Sequence, residues 1–100
     1  IYEGKCVSEE ASLDMLALLT GQERDWKIPA GLPEGTLCAN KTGETDTCQH
    51  DAAIVFGPEK DYILCVMSDG LEGEQEGEDA ALLIRDISRT VYEFLEQEEE

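Results

Sequence analysis

Residues 36–67 read TLCANKTGETDTCQHDAAIVFGPEKDYILCVM, and this stretch decides the fold. It contains three apolar runs, which we expect to be β-strands at about residues 36–42, 51–57 and 61–68. The second and third runs are apolar at nearly every position, which is typical of strands covered on both faces. Because only a short turn with Gly57 and Pro58 separates them, the strands should form an antiparallel meander.

Two helices are predicted on either side of these strands. Ser8 is a suitable N-cap for a helix at about residues 8–20, since acidic residues follow it in the first turn. A long closing helix at about residues 79–97 carries apolar side chains at three- and four-residue spacing: Leu83, Ile84, Ile87, Val91, Phe94 and Leu95. The acidic residues 70–78 should be a solvated loop. In the irregular segment 26–35, the large side chains of Trp26, Ile28 and Leu32 are expected to plug the helix onto the sheet.

The predicted fold is therefore α+β, with a three-stranded antiparallel sheet, an N-terminal helix and a long C-terminal helix in one segment, residues 1–100. Strands that are apolar on both faces need a layer of structure against each face. The two predicted helices, one long and one short, are too small to cover both faces. The sheet also has two open edges, which invite pairing with another strand. We expect the chain to belong to a larger domain, or otherwise to form a homo-oligomer.

The charge balance excludes several classes of partner. Acidic residues number 24 against 7 basic ones, which gives a net charge of −17. Nucleic acids and anionic membranes both require a basic patch, so neither is an expected partner. No apolar run reaches the length of a membrane span, and these residues contain no basic-then-apolar signal segment.

Four cysteines, Cys6, Cys38, Cys48 and Cys65, raise the question of disulfides or a metal site. No Cys-x-x-Cys pair occurs, so a structural zinc site is the least favoured reading. Cys38 and Cys65 lie in apolar strand candidates, where a free cysteine serves as a small hydrophobe. Free thiols are favoured over disulfides, and we expect no metal or other cofactor.

The chemistry-bearing motif is Lys41-Thr42-Gly43, followed by Glu44, at the end of the first strand. An ammonium attracts a carboxylate, a hydroxyl donates to it, and a glycine lets a substrate approach the backbone. The plainer readings remain open: Lys41 can be an ordinary solvent-facing residue, and Gly43 can mark a bulge.

In its wider context the motif resembles the C-terminal part of a class A serine β-lactamase. The matching order is helix, Leu32-Pro33-x-Gly35, strand, Lys-Thr-Gly, strand, Gly57-Pro58 turn, strand and helix. The resemblance implies that Lys41 and Thr42 bind a substrate carboxylate and that Gly43 keeps the strand edge clear. It also implies that the backbone N–H of Glu44 forms half of the oxyanion hole.

His50 falls where many members of that family carry a substrate-binding arginine. It would donate to a carboxylate when protonated, but a histidine is often uncharged near neutral pH. A structural or peripheral binding role is therefore the favoured alternative for His50.

The departures from the family pattern concern the nucleophile. None of the serines has a lysine three positions on, and there is no Ser-Asp-Asn. Covalent acyl transfer needs a nucleophile, so the chain alone is expected to be inactive. The resemblance implies a complete parent protein that acts on a β-lactam, or on a cell-wall peptide as a penicillin-binding D-alanyl peptidase. It also implies that this parent is exported or lies in the envelope of a bacterium. A non-catalytic acidic binding module is the third possibility.

Overall fold

A computed structural model describes residues 1–21 and 25–98 and confirms the α+β architecture. The chain forms helix α1 (Glu9–Thr20), a 3-10 turn (Pro29–Gly31), strands β1 (Leu37–Glu44), β2 (Gln49–Phe56) and β3 (Asp61–Met67), and helix α2 (Gly73–Glu98). Ser8 caps α1, because its side chain accepts a hydrogen bond from the Ala11 N–H at 3.0 Å.

The sheet is an antiparallel meander in the order β1-β2-β3. In its register Lys41 lies opposite Ala52, and Gly43 lies opposite His50. β1 is consequently an outer strand of the sheet that the described residues form, and it carries the Lys-Thr-Gly motif.

The core lies between the sheet and α2. Its buried members are Ile28, Ala53, Val55 and Ile84, and Leu32, Cys38, Tyr62, Leu64 and Val66 pack around them. Ser88 of α2 donates to the carbonyl of Ile28 at 2.8 Å, which fixes the 3-10 segment beneath the helix. Ile28 is fully buried whereas Trp26 is 46% exposed. The prediction that Trp26 is a core plug is therefore wrong, whereas Ile28 and Leu32 do pack into the core.

Helix α2 begins earlier than the sequence indicates. It starts at Gly73, so most of the segment predicted to be an acidic loop forms its first turns. Gly73 adopts a φ of 80°, a left-handed conformation that glycine tolerates best. Glu74 and Glu76 lie in the first turn, where the helix dipole favours negative charge, and Glu76 accepts from the Glu72 N–H at 3.1 Å. Local capping and dipole energy thus outweigh repulsion between the acids.

Apolar side chains remain uncovered on the sheet face opposite α2. Ile63 is 75% exposed, Met67 71% and Leu37 54%. All four cysteines are free thiols, and Cys65 is exposed rather than buried. Among the described residues, no helix has the length and apolarity that crossing a membrane requires.

Candidate functional site

The outer edge of β1 presents backbone groups in a fixed order. Thr45 and Cys48 exchange both backbone hydrogen bonds at the end of the hairpin. Because such pairs alternate along antiparallel strands, Gly43 and His50 form the next bonded pair. The N–H and C=O groups of Thr42 and Glu44 therefore point away from β2, toward the open edge. This edge offers the Glu44 N–H to a ligand.

Lys41 and Gly43 border that edge. Lys41 is exposed, and its Nζ donates to the Thr42 carbonyl oxygen at 2.8 Å, which holds the ammonium along the strand. A Cβ added to Gly43 would meet only the His50 side chain, at ordinary contact distances of 3.7 and 3.8 Å. The packing of the described chain therefore does not require glycine at this position.

The Thr42 hydroxyl lies on the other side of the strand. Thr42 is 5% exposed, and its Oγ1 is buried without a hydrogen-bond partner among the described residues. A buried unpaired hydroxyl costs roughly 1–3 kcal/mol, so it calls for an explanation. Lys41 and Thr42 thus lie next to each other at the same end of β1, but their side chains project from opposite faces of the sheet.

His50 is held by the backbone of a neighbouring segment. Its Nδ1 lies 3.2 Å from the Ser68 backbone nitrogen, whose N–H also donates to the Gln49 carbonyl at 3.1 Å. The ring lies beside Gly43, and Nε2 is the ring nitrogen that does not face Ser68. His50 therefore connects the motif strand to the segment that follows β3.

Lys27 is a residue of this site that the sequence interpretation missed. It is fully buried, and its Nζ donates to Glu44 Oε1 at 3.0 Å, to the His50 carbonyl at 3.0 Å and to the Gly43 carbonyl at 3.4 Å. One ammonium thus contacts three of the five predicted site residues. The available signal was weak: a lysine between apolar neighbours, in a segment with no regular pattern.

A buried polar network centred on Asp51 lies near Lys27. Asp51 is 1% exposed, and its carboxylate accepts from the Asn40 side-chain amide at 3.1 Å and from the Ile28 N–H at 3.0 Å. Burial raises the pKa of Asp51, while these two hydrogen bonds and the nearby charge of Lys27 oppose that rise. The network ties β1, β2 and the 3-10 segment together behind the motif.

An open cleft of about 890 Å³ lies next to the site, between the β1–β2 hairpin and the first turns of α2. Its acidic lining residues are Glu44, Asp46, Glu74 and Glu78, and Trp26 forms part of the wall. Such a lining disfavours an anionic ligand. A carboxylate is therefore better accommodated at the Lys41 edge than in this cleft.

Three solved structures with a similar fold are 26–29% identical to this chain. PBP-A is 28% identical, with 96% of this chain covering 36% of that chain at a TM-score of 0.84. A PBP-A variant, solved as an acyl-enzyme complex with penicillin G, is 26% identical over the same coverage, with a TM-score of 0.78. The β-lactamase of Sphaerobacter thermophilus is 29% identical, with 90% of this chain covering 34% of that chain at a TM-score of 0.76.

The chain therefore spans about a third of the length of these proteins. Comparison with curated protein sequences finds no match. The model of the β-lactamase enzyme family, in contrast, matches residues 1–95, nearly the entire chain. Together with the Lys-Thr-Gly strand in its structural setting, this match shows that the chain belongs to the β-lactamase enzyme family.

Proposed function

We propose that residues 1–100 are the C-terminal α/β portion of a β-lactamase-like serine hydrolase. In this proposal the β1 edge is one wall of the active site: Lys41 attracts the carboxylate of a β-lactam, and the Glu44 N–H forms half of the oxyanion hole. In this proposal the nucleophile belongs to a part of the parent protein outside residues 1–100. The supporting observation is the edge itself, where an ammonium and an outward backbone N–H lie on either side of an open glycine.

The unpaired Thr42 hydroxyl fits the same role. A buried donor without an acceptor is satisfied when a carboxylate oxygen reaches it, which adds a hydrogen bond to a charged group worth about 1.5–3 kcal/mol. His50 would contribute a further donor through Nε2, since its Nδ1 lies against the Ser68 backbone nitrogen. The carboxylate would thus be recognised by Lys41, Thr42 and His50, with no cofactor.

The parent reaction is proposed to be hydrolysis of a β-lactam through an acyl-enzyme. A penicillin-binding D-alanyl peptidase-like parent, acting on a cell-wall peptide, is the second candidate. The 28% identity to PBP-A supports this second candidate, and the 29% identity to the β-lactamase of Sphaerobacter thermophilus supports the first. Either parent would be exported or held in the envelope of a bacterium, and its recovery in the cytoplasmic fraction of its host would contradict that location.

The isolated chain is expected to show no turnover of a chromogenic cephalosporin above the buffer rate. The physical reason is that Ser8, Ser12, Ser68 and Ser88 each lack a lysine three positions on, the partner that this family's nucleophile requires. A complete serine β-lactamase assayed in parallel establishes the sensitivity. Turnover that follows the chain through purification and disappears in Lys41→Met would refute the claim of inactivity.

We also infer that the uncovered apolar face, formed by Leu37, Ile63 and Met67, is covered by the rest of a larger domain or by a second copy. In the isolated chain, self-association should increase with salt, because screening weakens the repulsion between two chains of charge −17. Sedimentation velocity at micromolar concentration, in low and high salt, measures this. A compact monomer under both conditions is the contrary result.

A further inference from the structure

The contacts of Lys27 reach the same peptide unit that supplies the proposed oxyanion donor. The Gly43 carbonyl and the Glu44 N–H belong to one peptide group, and no peptide bond in the described residues is cis. In a trans peptide the C=O and N–H point in opposite directions. Whatever fixes the Gly43 carbonyl therefore fixes the direction of the Glu44 N–H.

Lys27 adds to the backbone hydrogen bond that the Gly43 carbonyl accepts from the His50 N–H in the β1–β2 ladder. Its Nζ donates to the Gly43 oxygen at 3.4 Å and to Glu44 Oε1 at 3.0 Å, so the ammonium contacts both residues that flank the peptide bond. The third contact, to the His50 carbonyl at 3.0 Å, connects the ammonium to the opposite strand. The Gly43–Glu44 peptide is thereby clamped against β2, on the face away from the open edge.

We propose that Lys27 is a positioning residue that orients and polarises the Gly43–Glu44 peptide, so that the Glu44 N–H is a stronger donor at the open edge. This inference rests on the proposed function, because it gives that N–H its role. A positive charge at a carbonyl oxygen draws electron density from the amide nitrogen, and hydrogen bonds in such a chain reinforce one another.

The energetics favour this reading over simple packing. Placing an ammonium at zero exposure carries a large desolvation cost, and well-packed apolar residues usually stabilise a fold as well as a buried ion pair does. Lys27 is nevertheless surrounded by acceptors from both strands at the end of the motif. The Glu44 carboxylate, whose side chain is 24% exposed, offsets the charge without removing the contact to Gly43.

The test is nuclear magnetic resonance on the isotopically labelled 100-residue chain. In the wild type, the Lys27 ammonium should show scalar couplings across hydrogen bonds to the Gly43 and His50 carbonyl carbons. In Lys27→Met, which keeps the chain length and removes the charge, the Gly43 carbonyl carbon and the Glu44 amide nitrogen should both shift upfield. Lys27→Arg should restore part of both shifts.

Lys5→Met is the matched control, because the Lys5 side chain is 80% exposed and pairs with Glu3 at the surface. It should leave both resonances unchanged, and the Gly57 carbonyl should not move in any variant. Unchanged Gly43 and Glu44 resonances in a folded Lys27→Met chain would overturn the proposal, as would absence of the couplings in the wild type. The couplings in the wild type can be measured even if Lys27→Met does not fold, so the proposal can be tested in that case too. No β-lactam is present, so this result is independent of the test of the proposed function.

Discussion

Asp51→Ala is expected to lower the free energy of unfolding by about 3 kcal/mol at neutral pH. The substitution leaves the Ile28 N–H and the Asn40 amide buried without their acceptor, and it removes a negative charge near Lys27. A domain of this size has a total stability of about 5–15 kcal/mol, so the loss would be a large fraction. Urea unfolding followed by circular dichroism measures it.

Asp51→Asn is the matched variant, because it keeps the shape and retains one oxygen for the Ile28 N–H. Its loss should be clearly smaller than that of Asp51→Ala, since Asn40 can turn its own amide to accept from the new NH₂ group. Equal losses in the two variants would show that the charge, and not hydrogen bonding, decides the stability of the network.

The same pair of proteins tests the pH dependence. Burial raises the pKa of Asp51, so the folded state holds this proton more tightly than the unfolded state, where an aspartate has a pKa of about 3.9. The stabilisation from protonation is complete below that value and is lost as the pH rises through the higher, folded pKa. Relative to Asp51→Asn, the wild type should therefore lose stability as the pH rises from about 4 through the raised pKa of the folded state. If the wild type instead gains stability relative to Asp51→Asn as the pH rises, the raised pKa is contradicted.

Gly31→Ala is expected to cost about 3 kcal/mol or to prevent folding. Gly31 is buried under α2, and an added Cβ would collide with the Arg85 carbonyl oxygen and lie 2.9 Å from both Arg89 N and Ser88 Cβ. Two of these three atoms belong to the helix backbone, which cannot yield as a flexible side chain does. The helix would have to lift from the 3-10 turn, and the burial of Ile28 would be lost.

Gly77→Ala provides the control within α2. An added Cβ there would meet only the Gln49 side chain, at 3.5 Å, so the substitution should stabilise the helix by up to about 1 kcal/mol. Relative to the wild type, the midpoint temperature of thermal unfolding should fall in Gly31→Ala and rise in Gly77→Ala. A Gly31→Ala chain as stable as the wild type would show that α2 is not seated closely on the 3-10 turn.

The sheet could be predicted because its signals are local. The apolar runs that became β2 and β3 are separated by a short turn around Gly57 and Pro58, and this spacing alone indicated that the strands are antiparallel neighbours. The position of Lys41 on an outer strand followed from the same pattern. The start of α2 was missed because acid-rich sequence is typical of loops, whereas the capping by Glu76 depends on the helix being present.

Lys27 and Asp51 could not have been predicted from sequence, since the partners that offset their burial lie far along the chain. The Nζ of Lys27 meets an acceptor 23 positions away in His50, and Asp51 meets the Ile28 N–H at the same separation. An isolated lysine or aspartate in sequence is expected to be solvated. Only the fold brings these charges together behind the motif.

The most direct test of the carboxylate-binding wall is a titration of the isotopically labelled chain with benzylpenicillin and, separately, with its methyl ester. The account predicts that the amide resonances of residues 41–44 shift with the carboxylate form, that the ester leaves them unchanged, and that Lys41→Met abolishes the shifts. Equal shifts with the ester, or shifts confined to the acidic cleft around Gly77, would contradict the assignment of the β1 edge as the wall that binds the substrate carboxylate.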